Sequence, residues 1–336
     1  MPKPSGISHK SFLVTGGHGF IGSALVKALV RAGGRVRSFD NDSRGSRERL
    51  GEAAADVEVL LGDIRDPNAV EHATRGMDCV CHLAYINGTE FFYSIPDRVL
   101  EVAVKGITNV IDGCIKNKVP ALTLASSSEV YQTAPVVPTD ETVALSVPDP
   151  LNPRYSYGCG KIVSELLAIN FGRKHFRHVT IFRPHNVYGP DMGTEHVIPQ
   201  LAMRMLELSR TTKGKIRLPV RGTGQEKRAF VFIDDLIDGV LRVIEKGEHL
   251  GIYHIGTQDE VSIEHLAKTM ARYFGRDVEV VPGEGHAGGT LRRCPDITKM
   301  RGLGYEPQVS LEKGLEKTLS WYCETFTKKA AQLQTD

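Results

Sequence analysis

Several common signals are missing from this sequence. Charge of one sign is absent: 42 Lys and Arg stand against 40 Asp and Glu, a formal balance of +2. That gives no electrostatic ground for binding nucleic acid or an anionic membrane surface. No apolar run approaches the roughly 18 residues of a membrane-crossing helix. The start, Met1 to Lys10, is polar and has no apolar core segment, so a secretory signal is not expected. Cysteine is sparse, six in 336 residues, at 79, 81, 114, 159, 294 and 323. Scattered in this way they do not form a disulfide framework. Cys79-Val80-Cys81 has no second Cys/His pair nearby, so it reads as part of a buried strand and no metal site is expected. There is no internal repeat and no low-complexity stretch. A reduced, cytoplasmic protein without metal, membrane or nucleic-acid partner is the expectation.

What is present is an alternation of short apolar strands with amphipathic helices. Ser11–Thr15, Arg35–Asp40, Val57–Leu61, Cys79–Ala84, Ala121–Ala125 and Val179–Phe182 read as strands. A helix comes after the first through Leu25, Val26, Leu29 and Val30. Between Asp97 and Asn117, Val99, Leu100, Val104, Ile107, Val110, Ile111 and Cys114 recur at helical spacing. This alternation predicts an α/β fold, a Rossmann-type doubly wound parallel sheet with a smaller C-terminal α/β substrate lobe. The hydrophobic share of 41% supports a core of that size. Residues 1–190 are assigned to the dinucleotide-binding domain, with returns near 230–256. Residues 191–336, richer in Pro and Gly between segments, are assigned mainly to the substrate lobe.

Between the first strand and helix lies Thr15-Gly16-Gly17-His18-Gly19-Phe20-Ile21-Gly22. Gly16, Gly19 and Gly22 let the backbone turn sharply and approach a pyrophosphate, with Phe20 and Ile21 opening the helix whose N-terminus faces the phosphates. A tight strand–helix turn is the alternative for the glycines alone. Asp40, with Asn41 next to it, ends the second strand about twenty residues on, where a carboxylate accepts the adenosine ribose hydroxyls. It would repel a 2′-phosphate, which favours NAD over NADP; Arg37 and Arg44 are close enough in sequence to soften that repulsion. Asp63-Ile64 after the third strand reads either as an adenine contact or as a cap or turn aspartate.

Tyr157 and Lys161 open a further helix at i, i+4, on one face. A nearby ammonium lowers a phenol pKa, so Tyr157 becomes a usable general base, and Lys161 can also hold the nicotinamide ribose. Ser126-Ser127-Ser128 stands at a strand end, where a hydroxyl can share the reacting proton. Thr15 to Gly22, Asp40, His82-Leu83-Ala84, Ser126 to Tyr131 and the Tyr157/Lys161 pair together resemble the extended short-chain dehydrogenase/reductase family. The likeness is to its NAD-dependent nucleotide-sugar epimerase/dehydratase branch, from about Phe12 to Tyr322.

That resemblance implies Tyr157 as base, Lys161 as its partner, Ser127 as the assisting hydroxyl, and Leu83 and Ala84 beside NAD. It implies that Asn186 in Arg183–Pro190 contacts the sugar nucleotide and that Arg228 and Arg293 grip its diphosphate, with Arg292 an alternative to Arg293. Guanidiniums suit a diphosphate because each makes paired, charge-assisted bonds. It also implies a homodimer through the Asp97–Asn117 and Tyr157 helices. The chain departs from the family at Ala103, where asparagine is frequent, at Gln132, where glycine is usual, at Tyr85 and at His185. Tyr85 and His185 are expected to reshape the sugar pocket.

Members of the branch begin by removing hydride from the sugar, usually at C4, and differ in the step after it. Glu129, in Ser-Ser-Glu, resembles the glutamate of sugar dehydratases and UDP-glucuronate decarboxylases, where a buried carboxylate of raised pKa could take the C5 proton. A structural carboxylate is the alternative. Serine at 127 is the 4-epimerase residue, and Ser128 is a poor general acid for a dehydratase. The sequence inclines narrowly to a 4-epimerase, with 4,6-dehydratase or decarboxylase as the alternative. An NADPH-type reductase and a catalytically silent NAD-binding regulator are the minor readings.

Overall fold

The protein is described by a computed structural model over residues 6–285 and 288–332. Parts of the polar start and of the Pro282–Thr290 segment lie outside the described residues. Strand β1 (Ser11–Thr15) leads through the glycine loop into α1 (Phe20–Arg31), and β2 (Arg35–Asp40) comes next. Then come β3 (Val57–Leu61), α2 (Pro67–Thr74), β4 (Cys79–His82), the short α3 (Thr89–Ser94) and α4 (Pro96–Lys116). After β5 (Ala121–Ala125), α5 (Ser156–His175) precedes β6 (His178–Pro184), and Gly251–Ile255 closes the sheet as β7. The seven strands lie in the order β7-β6-β5-β4-β1-β2-β3, every pair parallel.

Period-two alternation decides which layer each side chain enters. Phe12 and Val14 of β1, with Cys79 and Cys81 of β4, join the cluster that holds Leu25, Val26 and Leu29 of α1. Leu13 and Val80 enter the opposite cluster with Ile107, Val110 and Ile111 of α4. The two cysteines are therefore core residues on one face. Helix α4 starts at Pro96, where a missing N–H costs nothing. Its buried stripe runs through Val99, Ala103, Ile107, Val110, Ile111 and Cys114, while Val104, expected in the stripe, is exposed.

Strand β4 stops at His82, two residues short of the predicted end. Thr15 captures the next backbone groups: its hydroxyl accepts from the N–H of Leu83 at 3.2 Å and of Ala84 at 3.3 Å. The chain thus leaves the sheet across the glycine loop. Beyond β6, Lys227–Ala229 pairs with Arg292–Arg293 in a small three-stranded sheet, which sets Arg228 beside Arg293. Among the described residues no helix is long and apolar enough to cross a membrane.

Helix α5 is tied to β6 by a buried ion pair. Arg183 Nε and Nη2 reach Glu165 Oε1 and Oε2 at 2.8 and 2.6 Å, both side chains 2% exposed. Ser126 donates to the same carboxylate, and Tyr131 contacts both Arg183 and His254. Glu165→Gln leaves a buried guanidinium without its counter-charge. It is expected to cost about 3–5 kcal/mol of stability, read by urea denaturation; a loss under about 1 kcal/mol would mean that the pair is not a fixed part of the core.

Candidate active site

A cavity of about 580 Å³ opens at the carboxyl ends of β1 and β4, where the strand order reverses. The glycine loop forms its floor. A Cβ on Gly22 would collide with the Gly16 carbonyl, and Gly16 has φ +71° with Ala84 N and Cα against its open side. Helix α1 has no side-chain cap and no acidic residue in its first turn, so its N-terminal N–H groups and dipole are free to face an anion. A tight turn alone would not need that opening.

Asp40, Asn41, Asp63 and Ile64 line one end of the cavity. Asp40 accepts the N–H of His18 and of Asp42, each at 3.0 Å, which fixes its carboxylate at the rim. His18, Asp40 and Asp42 are the one group among the described residues whose donor atoms would fit around a metal ion. His18 Nδ1 instead contacts Asp42 directly at 2.5 Å. Asp63 is held by Arg65 on both oxygens and by the Asn41 amide at 3.0 Å. Its hydrogen bonds with Arg65 bring its pKa down to about 2. Asp66, not Asp63, caps α2. Arg37 is bound to Glu58 and two backbone carbonyls, and Arg44 to Glu195 over the Phe91 ring. Both guanidiniums are thus already engaged in ways that do not answer a 2′-phosphate.

Ser127, Glu129, Tyr157, Lys161, Asn186 and Arg293 line the other end, with Leu83, Ala84 and Tyr85 between. Tyr157 is stacked on Phe92 at 4.8 Å between ring centroids and meets Tyr85 edge-on at 5.1 Å. From the sequence, Lys161 is expected to lower the Tyr157 pKa. In the structure burial pushes the phenol up, and a hydrogen bond with Ser127 opposes that only in part. The reason is where the lysine points. Its Nζ donates to the Ala125 carbonyl at 2.7 Å and sits 3.9 Å from the Tyr85 ring centroid, against 5.9 Å for Tyr157. Burial also brings Lys161 itself down to about 7, with Glu165 pulling the other way.

Glu129 also departs from expectation. Burial alone would raise its carboxyl, but Arg293 in contact at 2.6 Å, with Arg154 and Arg228, brings it down to about 2. It is a standing carboxylate, not a carboxyl of raised pKa. Arg228 does not line the cavity: it donates to the carbonyls of Lys227 and Thr290 behind Arg293, and burial pulls its pKa down to about 10. Arg292 is turned away onto Glu260. The Asn186 amide donates to the Ala229 carbonyl at 3.1 Å. His185, expected to shape the sugar pocket, is buried against His254 instead, with both ring nitrogens unpartnered. Gln132 occupies the left-handed region, φ 52°, which is why glycine suits that position; its amide braces the Glu129 carbonyl at 2.7 Å.

Sequence reasoning missed Phe91, Phe92 and Arg154. The adjacent aromatics before Ile95-Pro96 were the available signal. Nothing local marks Arg154, which is 3.9 Å from Glu129 only through the fold.

Known proteins share this fold. Residues 12–256 match the model of the NAD dependent epimerase/dehydratase family. The chain belongs to that family. UDP-glucuronic acid decarboxylase 6 of Arabidopsis thaliana is 32% identical over 327 residues, covering 94% of this chain and 91% of the relative. UDP-glucose 4-epimerase of Thermotoga maritima superposes with a TM-score of 0.83 at 29% identity, over 94% of this chain and 99% of that one. A dTDP-glucose 4,6-dehydratase of Streptomyces venezuelae, solved with NAD bound, gives 0.83 at 30%, over 94% and 98%.

NAD is the cofactor of this family member, and the uncapped helix and glycine cradle fit its pyrophosphate. A methyl group at position 22 would force that cradle open. Gly22→Ala is expected to weaken NAD binding by more than about tenfold, measured by calorimetric titration; binding as tight as the parent's would show that the loop does not carry the pyrophosphate.

Proposed function

We propose that this protein is a lyase, an NAD-dependent decarboxylase of a nucleotide-linked uronic acid. The observation that carries the proposal is the Glu129 cluster. Three guanidiniums, from Arg154, Arg228 and Arg293, act on one carboxylate that is itself ionised, so the cluster is cationic as a whole, and Arg293 brings that charge to the cavity wall. A substrate with a diphosphate and a sugar carboxylate matches that excess. The similarity to UDP-glucuronic acid decarboxylase 6 supports the same reading. It moves the preference from the 4-epimerase to which the sequence inclined toward the lyase alternative.

NAD, when bound, accepts a hydride from sugar C4 and later returns it. The chain's own groups handle protons and charge. Tyr157, with Ser127 beside its hydroxyl, takes the C4 hydroxyl proton, which leaves a 4-keto sugar; the positive charge of NAD, when bound, would oppose the burial that otherwise holds this phenol protonated. The C6 carboxylate is then β to a ketone. The C5–C6 bond breaks, CO2 departs and the electron pair is held as the C4–C5 enolate. Protonation at C5 and return of hydride and proton at C4 complete the cycle. Arg293 orients the anionic substrate, and Glu129 holds Arg293 until it arrives. The adenosine end is assigned to Asp40, with Asn41, Asp63 and Ile64 beside the base. A dehydratase would need an acid for the leaving C6 hydroxyl; Ser128 is a poor one, and Glu129 carries no proton to give.

The test is to incubate the protein with UDP-, GDP-, dTDP- and CDP-linked sugars and uronic acids and to track products by mass spectrometry and NMR. Loss of CO2 from a uronic acid is expected. Unchanged mass with inverted C4 would make it the epimerase, loss of water the dehydratase, and no turnover would overturn the nucleotide-sugar reading.

Because Glu129 is ionised above about pH 2, it contributes no limb to the pH–rate profile of the working range. Glu129→Gln is expected to lower turnover roughly ten- to a hundredfold, by loosening a charge-assisted contact of about 1.5–3 kcal/mol, and to leave the limbs in place. An acidic limb that vanishes in the variant would make Glu129 a titrating acid or base and overturn the assigned role.

A further inference from the structure

Lys161 is a buried cation with few favourable contacts. Among the described residues its Nζ has one hydrogen bond, to the Ala125 carbonyl at 2.7 Å. Glu165, one turn along α5, gives long-range attraction, but its oxygens are taken by Arg183 and Ser126. Across from it on β4, His82 is held neutral by burial, down to about 3, and bonds Thr15. On β6, Arg183 has its charge matched by Glu165. Tyr157 on the same helix presents its ring only at 5.9 Å. Among the described residues no carboxylate lies within ion-pair distance of the ammonium.

The group that does face it is an aromatic ring. Nζ lies 3.9 Å from the Tyr85 ring centroid, well inside the range in which a cation is attracted to the negative π face. Tyr85 can lie there because two neighbours are small. A Cβ on Gly160 would strike the Tyr85 hydroxyl and come within 2.7 Å of the Ala103 Cβ, so the phenol tip fills a niche that Gly160 and Ala103 leave between α5 and α4. The hydroxyl also reaches the Tyr157 carbonyl at 3.4 Å. The ring is thus fixed at its far end, with its face toward Lys161 and its edge region against Tyr157.

We propose that Tyr85 is a positioning residue for Lys161: its ring face, seated by the Gly160 and Ala103 niche, keeps the ammonium charged and aimed into the cavity. This accounts for two departures of the sequence, Tyr85 and Ala103, as one arrangement. It rests on Lys161 working as a cation and not on which nucleotide sugar is turned over.

The test reads the lysine directly in the NAD-loaded full-length protein, by NMR of lysines labelled with carbon-13 at Cε. The Lys161 signal is assigned by its loss in Lys161→Met. Tyr85→Phe keeps the π face and is expected to titrate with the parent. Tyr85→Leu removes it and is expected to move the titration of Lys161 down by about one pH unit. Phenylalanines with one, two and three ring fluorines at position 85 keep the shape, so they stay readable if the leucine variant does not fold. They are expected to lower the titration point stepwise as the π face weakens. Unchanged titration across the fluorinated series, or a fall in Tyr85→Phe equal to that in Tyr85→Leu, would overturn the proposal. No substrate is needed, so the outcome stands apart from that of the proposed reaction.

Discussion

The Arg183–Glu165 ion pair fixes the helix on which the chemistry depends. Glu165 sits one turn beyond Lys161 and two beyond Tyr157, and Arg183 is embedded in the sheet. Their bond sets the rotation of α5 about its own axis. Ser126 donates to the same carboxylate, so the strand end carrying Ser127 is registered to that rotation as well. A buried pair of this kind contributes little net stability against an apolar replacement. What it contributes here is register: phenol, ammonium and serine hydroxyl come from two elements and still meet at one point.

Around that point charge is divided along the cavity. One end carries Asp40 and Asp63, each with its oxygens engaged by the chain before any ligand arrives. The opposite end carries Arg293 paired with Glu129, with the further guanidiniums of Arg154 and Arg228 outside the cavity wall. The middle is aromatic, with Phe92 and Tyr85 on two sides of Tyr157. An elongated ligand with hydroxyls at one end and anionic groups beyond its centre matches this order.

Much of this was legible in the sequence, for definite reasons. Four strands, Ser11–Thr15, Arg35–Asp40, Val57–Leu61 and Ala121–Ala125, have the predicted bounds because buried parallel strands are short apolar runs cut off by glycine or polar turns. Gly16 to Gly22, Asp40, Ser127, Tyr157 and Lys161 were readable because each belongs to a local pattern, and the cavity collects them. The failures concern through-space relations. The charge state of Glu129 depends on Arg293, 164 positions away, and the pull expected on Tyr157 is diverted because Lys161 turns to Tyr85. His185 looked like a pocket residue because it departs from the family pattern, yet the chain bends at Asn186, φ 42°, which lines the cavity while His185 is buried against His254. The preference for an isomerase failed to gain support for a similar reason: Ser127 is local, and the guanidiniums that distinguish the site converge from three separate stretches of chain.

The Gln132 turn has a consequence for how such a site can diverge. Gln132 holds a left-handed backbone, and its amide fills the space into which a side chain at Gly158 would project. Gly158 in turn sits beside Tyr157. The Glu129 main-chain carbonyl bounds the same space, 2.7 Å from where that Cβ would stand. Shortening Gln132 alone therefore does not admit a side chain at 158. Drift beside Tyr157 is closed off by main chain, and the glutamine adds to a restriction that the turn already imposes.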